Sequence, residues 1–215
     1  MIAGSGLSFE YFDVPRRISR RVQSSGNPSQ FISTDSLTGT QLLGLWDKIA
    51  LTPNEALVLR ALQFLDPRVE RIAGLAGSSY YGERGGFIVK CDDVLFPFPI
   101  GSLGDGAWRM LAMAIAITQC RDGVRLVDEI DTGLHYTVMS DMWKLIYGAA
   151  TDLNVQVFAT THSSDCVQSL ATICHADVEA NSQVTIQRLE LERKTAVPFT
   201  EAEIRTAAER QIEIR

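Results

Sequence analysis

Asp128, Glu129 and Asp131 follow directly on a short apolar run in the stretch GVRLVDEIDTGLHY at residues 123–136. Two adjacent carboxylates at a strand end can divide the work of phosphoryl transfer. The first, Asp128, holds Mg2+, usually through ordered water, and the second, Glu129, orients or deprotonates the attacking water. His162 closes a second apolar run, NVQVFATTH at residues 154–162, where an imidazole can sense or stabilise a terminal phosphate. The third group is SLGDG at residues 102–106. Ser102, the amides of Gly104 and Gly106, and the positive end of the helix that follows would together favour an anion such as a phosphate. Each group also has a plainer reading. Acids after an apolar run can be a polar strand end feeding a turn, a His after a strand can be a hydrogen-bonded structural residue, and glycine-rich turns start helices. Asp105 could cap its helix, or bond a ribose or a partner chain.

These groups need elements to position them. The segment GSLGDGAWRMLAMAIAITQC, residues 101–120, predicts a helix with Met110, Leu111, Ala114, Ile115 and Thr118 on one face. VRLVD then reads as a strand, HYTVMSDMWKLIYGAATDL as a helix and NVQVFATTH as another strand, which makes a β-α-β unit. Parallel strands joined by one helix take a right-handed crossover, so their C-terminal ends share one edge of the sheet. Ligand crevices of open α/β sheets lie beyond that edge. Asp128, Glu129, Thr161 and His162 should therefore face one crevice. Upstream, SSGNPSQFISTDS at 24–36 reads as a loop, and residues 42–67 as two helices meeting at TPNE, with Thr52 as cap, Pro53 in the first turn and Glu55 three residues after the cap. RVERIAGL, GGFIVKC and DVLFPFPI predict a small antiparallel sheet. The C-terminal region reads as a short helix at 165–174, a strand at 182–192 and a polar helix with Ile204, Ala208 and Ile212 in a narrow apolar stripe.

Taken in order, SLGDGAWR, VRLVDE, TGLH and TTHSSD resemble the C-terminal half of an ABC-type ATPase head. Within that class the chain looks most like the AAA-type ATPases near the overcoming-lysogenization-defect and RecF/SMC-like groups. The resemblance is continuous over residues 101–165, and LWDKIALTPNEALVLRAL is similar to the helical region of those proteins. It implies an α/β fold, a partial P-loop NTPase sheet of the ABC-ATPase head type with flanking helices. Residues 1–100 would form an irregular, helical and small β region, and residues 101–215 the C-terminal ATPase region. The implied cofactors are ATP and Mg2+. By the same resemblance, Ser102, Gly104 and Asp105 fall in the signature loop, which in that family touches the γ-phosphate of ATP held by the opposite subunit. Asp128 would be the Walker B magnesium residue, Glu129 the catalytic base, Thr132 to His135 the D-loop that crosses a dimer interface, and His162 the switch histidine. Leu103 stands where a second-position Gly is usual, and His135 where transporters have Asp, so a transporter role is not implied. The family's G-x-x-x-x-G-K-[ST] phosphate cradle has no counterpart, because no Gly-Lys-Ser/Thr occurs in the sequence. The expectation is a head whose cradle lies on a missing segment or another chain, with the strand before Asp128 left as an exposed edge.

Composition bounds the rest. With 215 residues and 46% hydrophobic side chains, the chain can build one substantial core, alone or with a small appendage. A formal charge of -6 gives no general attraction to a polyanion, so any nucleic-acid contact would be local. Its one candidate is Arg16, Arg17, Arg20 and Arg21 in PRRISRR, a run that otherwise reads as solvated surface. Cys91, Cys120, Cys166 and Cys174 show no C-x-x-C pairing, which suits reduced thiols and a cytoplasmic setting. No segment approaches the ~20 apolar residues of a membrane span, and the start lacks a signal pattern. Three functions follow: a Mg2+-dependent ATPase head, acting as a homodimer in a DNA-related or defence role; a non-catalytic or split subunit that binds a chain carrying the cradle; or a metal-dependent nuclease using Asp128, Glu129 and Asp131. Against the last stands the origin of all three acids at one strand end.

Overall fold

Helix α3 (Asp105–Thr118) is apolar on almost every side, and every residue from Ala107 to Thr118 is buried, Arg109 included. The one-sided face expected from its spacing is thus corrected, since a helix apolar all round belongs inside a core. The computed structural model describes residues 29–32 (as backbone), 38–75, 86–174, 184–191 and 193–214. The run of four arginines lies outside the described residues. Around α3 pack helices α1 (Gly39–Trp46), α2 (Pro53–Gln63) and α4 (Tyr136–Leu153), and one hydrophobic core runs from Leu42 to Ile214. A chain of edge-to-face rings, Trp46 to Phe87 at 5.9 Å and Phe87 to Trp108 at 6.1 Å, ties α1 and α3 to the small sheet.

Helix starts follow the local chemistry. Thr38 and Gln41 form a capping box at α1. At α2 the Thr52 hydroxyl accepts from the Asn54 N–H, while the Glu55 carboxylate accepts from the Leu51 N–H one residue before the cap. That bond holds Leu51 at a left-handed φ of 63°.

The expected β-α-β unit is present. Strand β5 (Val124–Val127) is followed by α4 and by β6 (Gln156–Ala159), which pairs with it in parallel. Asn154 ends α4 in the left-handed region and donates to Asp122, which ties the segments leading into β5 and β6 to each other. Two expectations change here. Within the stretch read as a loop, Ser29–Ile32 is strand β1, and it pairs in parallel with β5. The strand before Asp128 is therefore the middle of a β1-β5-β6 sheet and not an exposed edge. The predicted antiparallel sheet forms from β2 (Val69–Gly74), β3 (Phe87–Cys91) and β4 (Phe98–Pro99).

A 3-10 turn (Ile100–Leu103) leads into α3. Beyond β6 come α5 (Ser164–Leu170), a 3-10 turn (Ala171–Ile173), a hairpin of β7 (Ile186–Arg188) and β8 (Val197–Phe199), and α6 (Glu201–Glu209). Of the long predicted strand, three of the described residues, Ile186–Arg188, are extended. The apolar stripe of α6 is Ile204 with Ala207; because the helix stops at Glu209, Ile214 is buried and Ile212 exposed. All four cysteines are free thiols. No helix among the described residues is long and apolar enough to cross a membrane.

Candidate functional site

Val127 and Ala159 are register partners at the last residues of β5 and β6, so Asp128 and Thr160 leave the sheet side by side. The Thr160 hydroxyl donates to Asp128 Oδ1 at 2.5 Å and accepts from the Glu129 N–H at 2.9 Å. A hydroxyl can do both at once, and here it engages each acid. Backbone bonds extend the sheet by one step, Thr160 N–H to Val127 O and Ile130 N–H to Thr160 O, each at 3.0 Å. Glu129 takes φ +44°, a left-handed conformation that a non-glycine residue holds only when its surroundings fix it. Its carboxylate accepts from the Thr132 hydroxyl at 3.2 Å. Next to it, the Thr161 hydroxyl donates to Asp131 at 2.5 Å and accepts from the Ser163 N–H at 3.0 Å. His162 stands between those two residues, exposed. The acid pair and the imidazole-bearing segment thus share one rim, as the strand order implied.

Arg109 holds the same turn from α3. It is only 3% exposed, and its Nη2 donates to the carbonyls of Asp128 at 3.1 Å and Glu129 at 3.0 Å. Burial pushes the guanidinium pKa down, while Asp131, Asp128 and Glu129 push it up. Its Nε has no hydrogen-bond partner among the described residues. The acids, the turn and α3 form one electrostatic unit.

The 102–106 loop reaches this unit through its helix end. Gly104, with φ +91°, is the N-cap of α3, and Asp105 is its first residue, so the alternative that made Asp105 the cap is corrected. A Cβ on Gly106 would touch Gly133 O and Leu134 Cδ2 at 3.5 Å, and one on Gly133 would meet Asp105 Cβ at 4.0 Å. Residues 105–106 therefore pack on the turn that follows the acids. Ser102 and Gly104 are exposed and make no hydrogen bond to the acids among the described residues. His135 is the exposed N-cap residue of α4; its Nδ1 lies 2.9 Å from the Thr137 hydroxyl and its ring 4.3 Å from that of Tyr136.

For a divalent ion the donor set is small. No group of three or more His, Cys, Asp and Glu able to hold a metal occurs among the described residues. Mg2+ in phosphoryl-transfer sites is held by one or two carboxylates together with substrate phosphates, so the Asp128–Glu129 pair fits it. Asp128 keeps Oδ2 outside any hydrogen bond to the described residues.

Residues 79–167 match the family model of the AAA ATPase domain. Over that segment the chain is AAA-ATPase-like. The match takes in the acid pair, the 102–106 loop, Arg109 and His162, and the layout around them is α/β. No curated protein matches the sequence. One solved structure, from work on the structural biochemistry of ATP-driven dimerization and DNA stimulated activation of SMC ATPases, aligns with a TM-score of 0.47 and 13% identity, over 81% of this chain and 99% of that one. Another, an SmcHead bound to the C-winged helix domain of ScpA, aligns with 0.45 and 14%, over 68% of this chain and 42% of that one.

Neither Thr160 nor Arg109 stands out in the sequence as a site residue. The signal for Arg109 was a lone cation in an otherwise apolar helix, which demands a buried partner. For Thr160 only the Thr-Thr doublet before His162 was visible.

Proposed function

We propose that this chain is the hydrolytic half of an ATPase head, with Asp128 and Glu129 serving an ATP bound between two chains. The observation that carries the reading is the shared rim, where the acid pair is hydrogen-bonded across to the segment bearing His162. Mg2+, when bound, would neutralise phosphate charge and orient the substrate. Asp128 would hold that ion through water, Glu129 would take a proton from the attacking water, and His162 would face the terminal phosphate. Ser102 would present its hydroxyl, and Asp105 and Gly106 their amides, to a nucleotide on the facing chain, with His135 beside them at the junction; the Gly104 N–H, expected to be a free donor, is given to the Gly101 carbonyl at 3.1 Å, so Gly104 would serve by its turn alone. A homodimer, a cytoplasmic setting with reduced thiols and a DNA-related or defence task belong to the same proposal.

Glu129→Gln tests it. A general base contributes about 10²–10⁴-fold, so MgATP turnover by the purified chain with its partner should fall at least ~100-fold while nucleotide stays bound. Turnover that is undiminished removes Glu129 as the base. A second reading rests on the sequence's lack of a Gly-Lys-Ser/Thr cradle. Under it the chain is a non-catalytic or split subunit that binds little nucleotide until another chain supplies the cradle. Calorimetric titration with MgATP decides between them, since micromolar binding by this chain alone contradicts the split-subunit version.

A further inference from the structure

The acid pair is held from two directions, and the geometry points to Thr160 as a positioning residue for it. This inference rests on the ATPase reading and adds a residue to its site. One hydroxyl fixes both acids: it donates to Asp128 Oδ1 at 2.5 Å and accepts from the Glu129 N–H at 2.9 Å. Each contact constrains a different thing. The first sets the rotation of the Asp128 carboxylate. The second sets the peptide plane between Asp128 and Glu129, and with it the left-handed φ of +44° from which the Glu129 side chain starts. Arg109 holds the two carbonyls on either side of the Glu129 Cα, at 3.1 and 3.0 Å. Between them, Thr160 and Arg109 bind the N–H and both carbonyls of this strained step. Such a conformation persists only where contacts of this kind over-determine it.

Thr160 is the sharper of the two to test, because it is exposed and its own backbone bonds to Val127 and Ile130 survive any side-chain change. Thr160→Val keeps the shape and removes the hydroxyl; Thr160→Ser restores the hydroxyl. The first readout is hydrogen exchange of the Glu129 amide in the full chain. It should quicken about tenfold or more in the valine variant, the loss of one hydrogen bond, and return towards wild type in the serine variant. The second is steady-state MgATP turnover with its partner. Misplacement of a catalytic group by about an ångström costs on the order of 10²-fold, so kcat should drop ~10- to 100-fold for valine and stay within about threefold for serine, with nucleotide affinity unchanged. A Glu129 amide indifferent to valine overturns the inference whatever the turnover. An active wild type whose turnover ignores valine, or is lost equally with serine, overturns the positioning role. A wild type that neither binds nor hydrolyses MgATP, while its Glu129 amide still answers to Thr160, overturns the ATPase reading and leaves the clamp standing.

Discussion

Arg109 shows how a buried charge can be retained when its neighbours compensate it. Desolvation works against the guanidinium, and Asp131, Asp128 and Glu129 work for it, with two carbonyls accepting from Nη2. Removing it leaves those carbonyls without their donor and three acids without their cation. Arg109→Met should therefore destabilise the fold by about 2–4 kcal/mol, read as a lower urea midpoint; an unchanged midpoint contradicts the role. The two glycines of the adjoining loop separate conformation from ligand contact. Gly104 sits at φ 91°, ψ 174°, a region almost reserved for glycine, so Gly104→Ala should cost about 1–3 kcal/mol. Gly106 lies inside α3, where an added Cβ meets neighbours only at 3.5 Å, ordinary contact. Gly106→Ala should leave thermal stability level or raise it by up to ~1 kcal/mol. A fall in nucleotide turnover in that stable variant would then report a close approach of the ligand to this backbone.

At the scale of elements, β1 is the piece that completes the sheet beside the acids. Alternate N–H groups of a strand point to opposite sides, so of two adjacent residues one must aim its N–H at β5. Of Gln30→Pro and Phe31→Pro, one should destabilise by about 3 kcal/mol and the other by clearly less. Equal, small effects in denaturant titrations would show that the β1 pairing contributes little. This strand was not legible in the sequence, because QFI among Ser, Asn and Thr carries too few apolar residues for a period-2 pattern and its partner β5 lies over ninety residues away. The β5, α4 and β6 unit was legible because long periodic runs end in capping and turn residues. For the same reason the shared rim could be placed from connectivity alone. What stayed hidden were contacts between distant segments: the Thr160 hydroxyl on both acids, Arg109 on their carbonyls, and the burial of α3 on all sides. α6 was half legible; its Ile212 was placed on a helix that stops at Glu209, where Gln211 turns left-handed.

For the molecule as a whole, the thiols set an alkaline limit. Burial raises the Cys166 thiol to about 12 and the Cys174 thiol to about 11, against an ordinary value of 9.0. Both stay protonated in the fold while an unfolded chain ionises from about pH 9 upward, so the folded state binds more protons there. Stability is unaffected below pH 9 and declines above it, by at most ~1.4 kcal/mol per pH unit for each such thiol. Denaturation midpoints measured from pH 7 to 10.5 should show a plateau and then a fall, and Cys166→Ala should flatten that fall. At pH 8 the native chain should react slowly with a thiol reagent and release all four thiols when unfolded. The all-round burial of α3 has an evolutionary counterpart. Twelve successive positions with no outward side leave natural variation no harmless place to accumulate, so descendants of this chain should change that helix only in step with compensating changes in α1, α2 and α4.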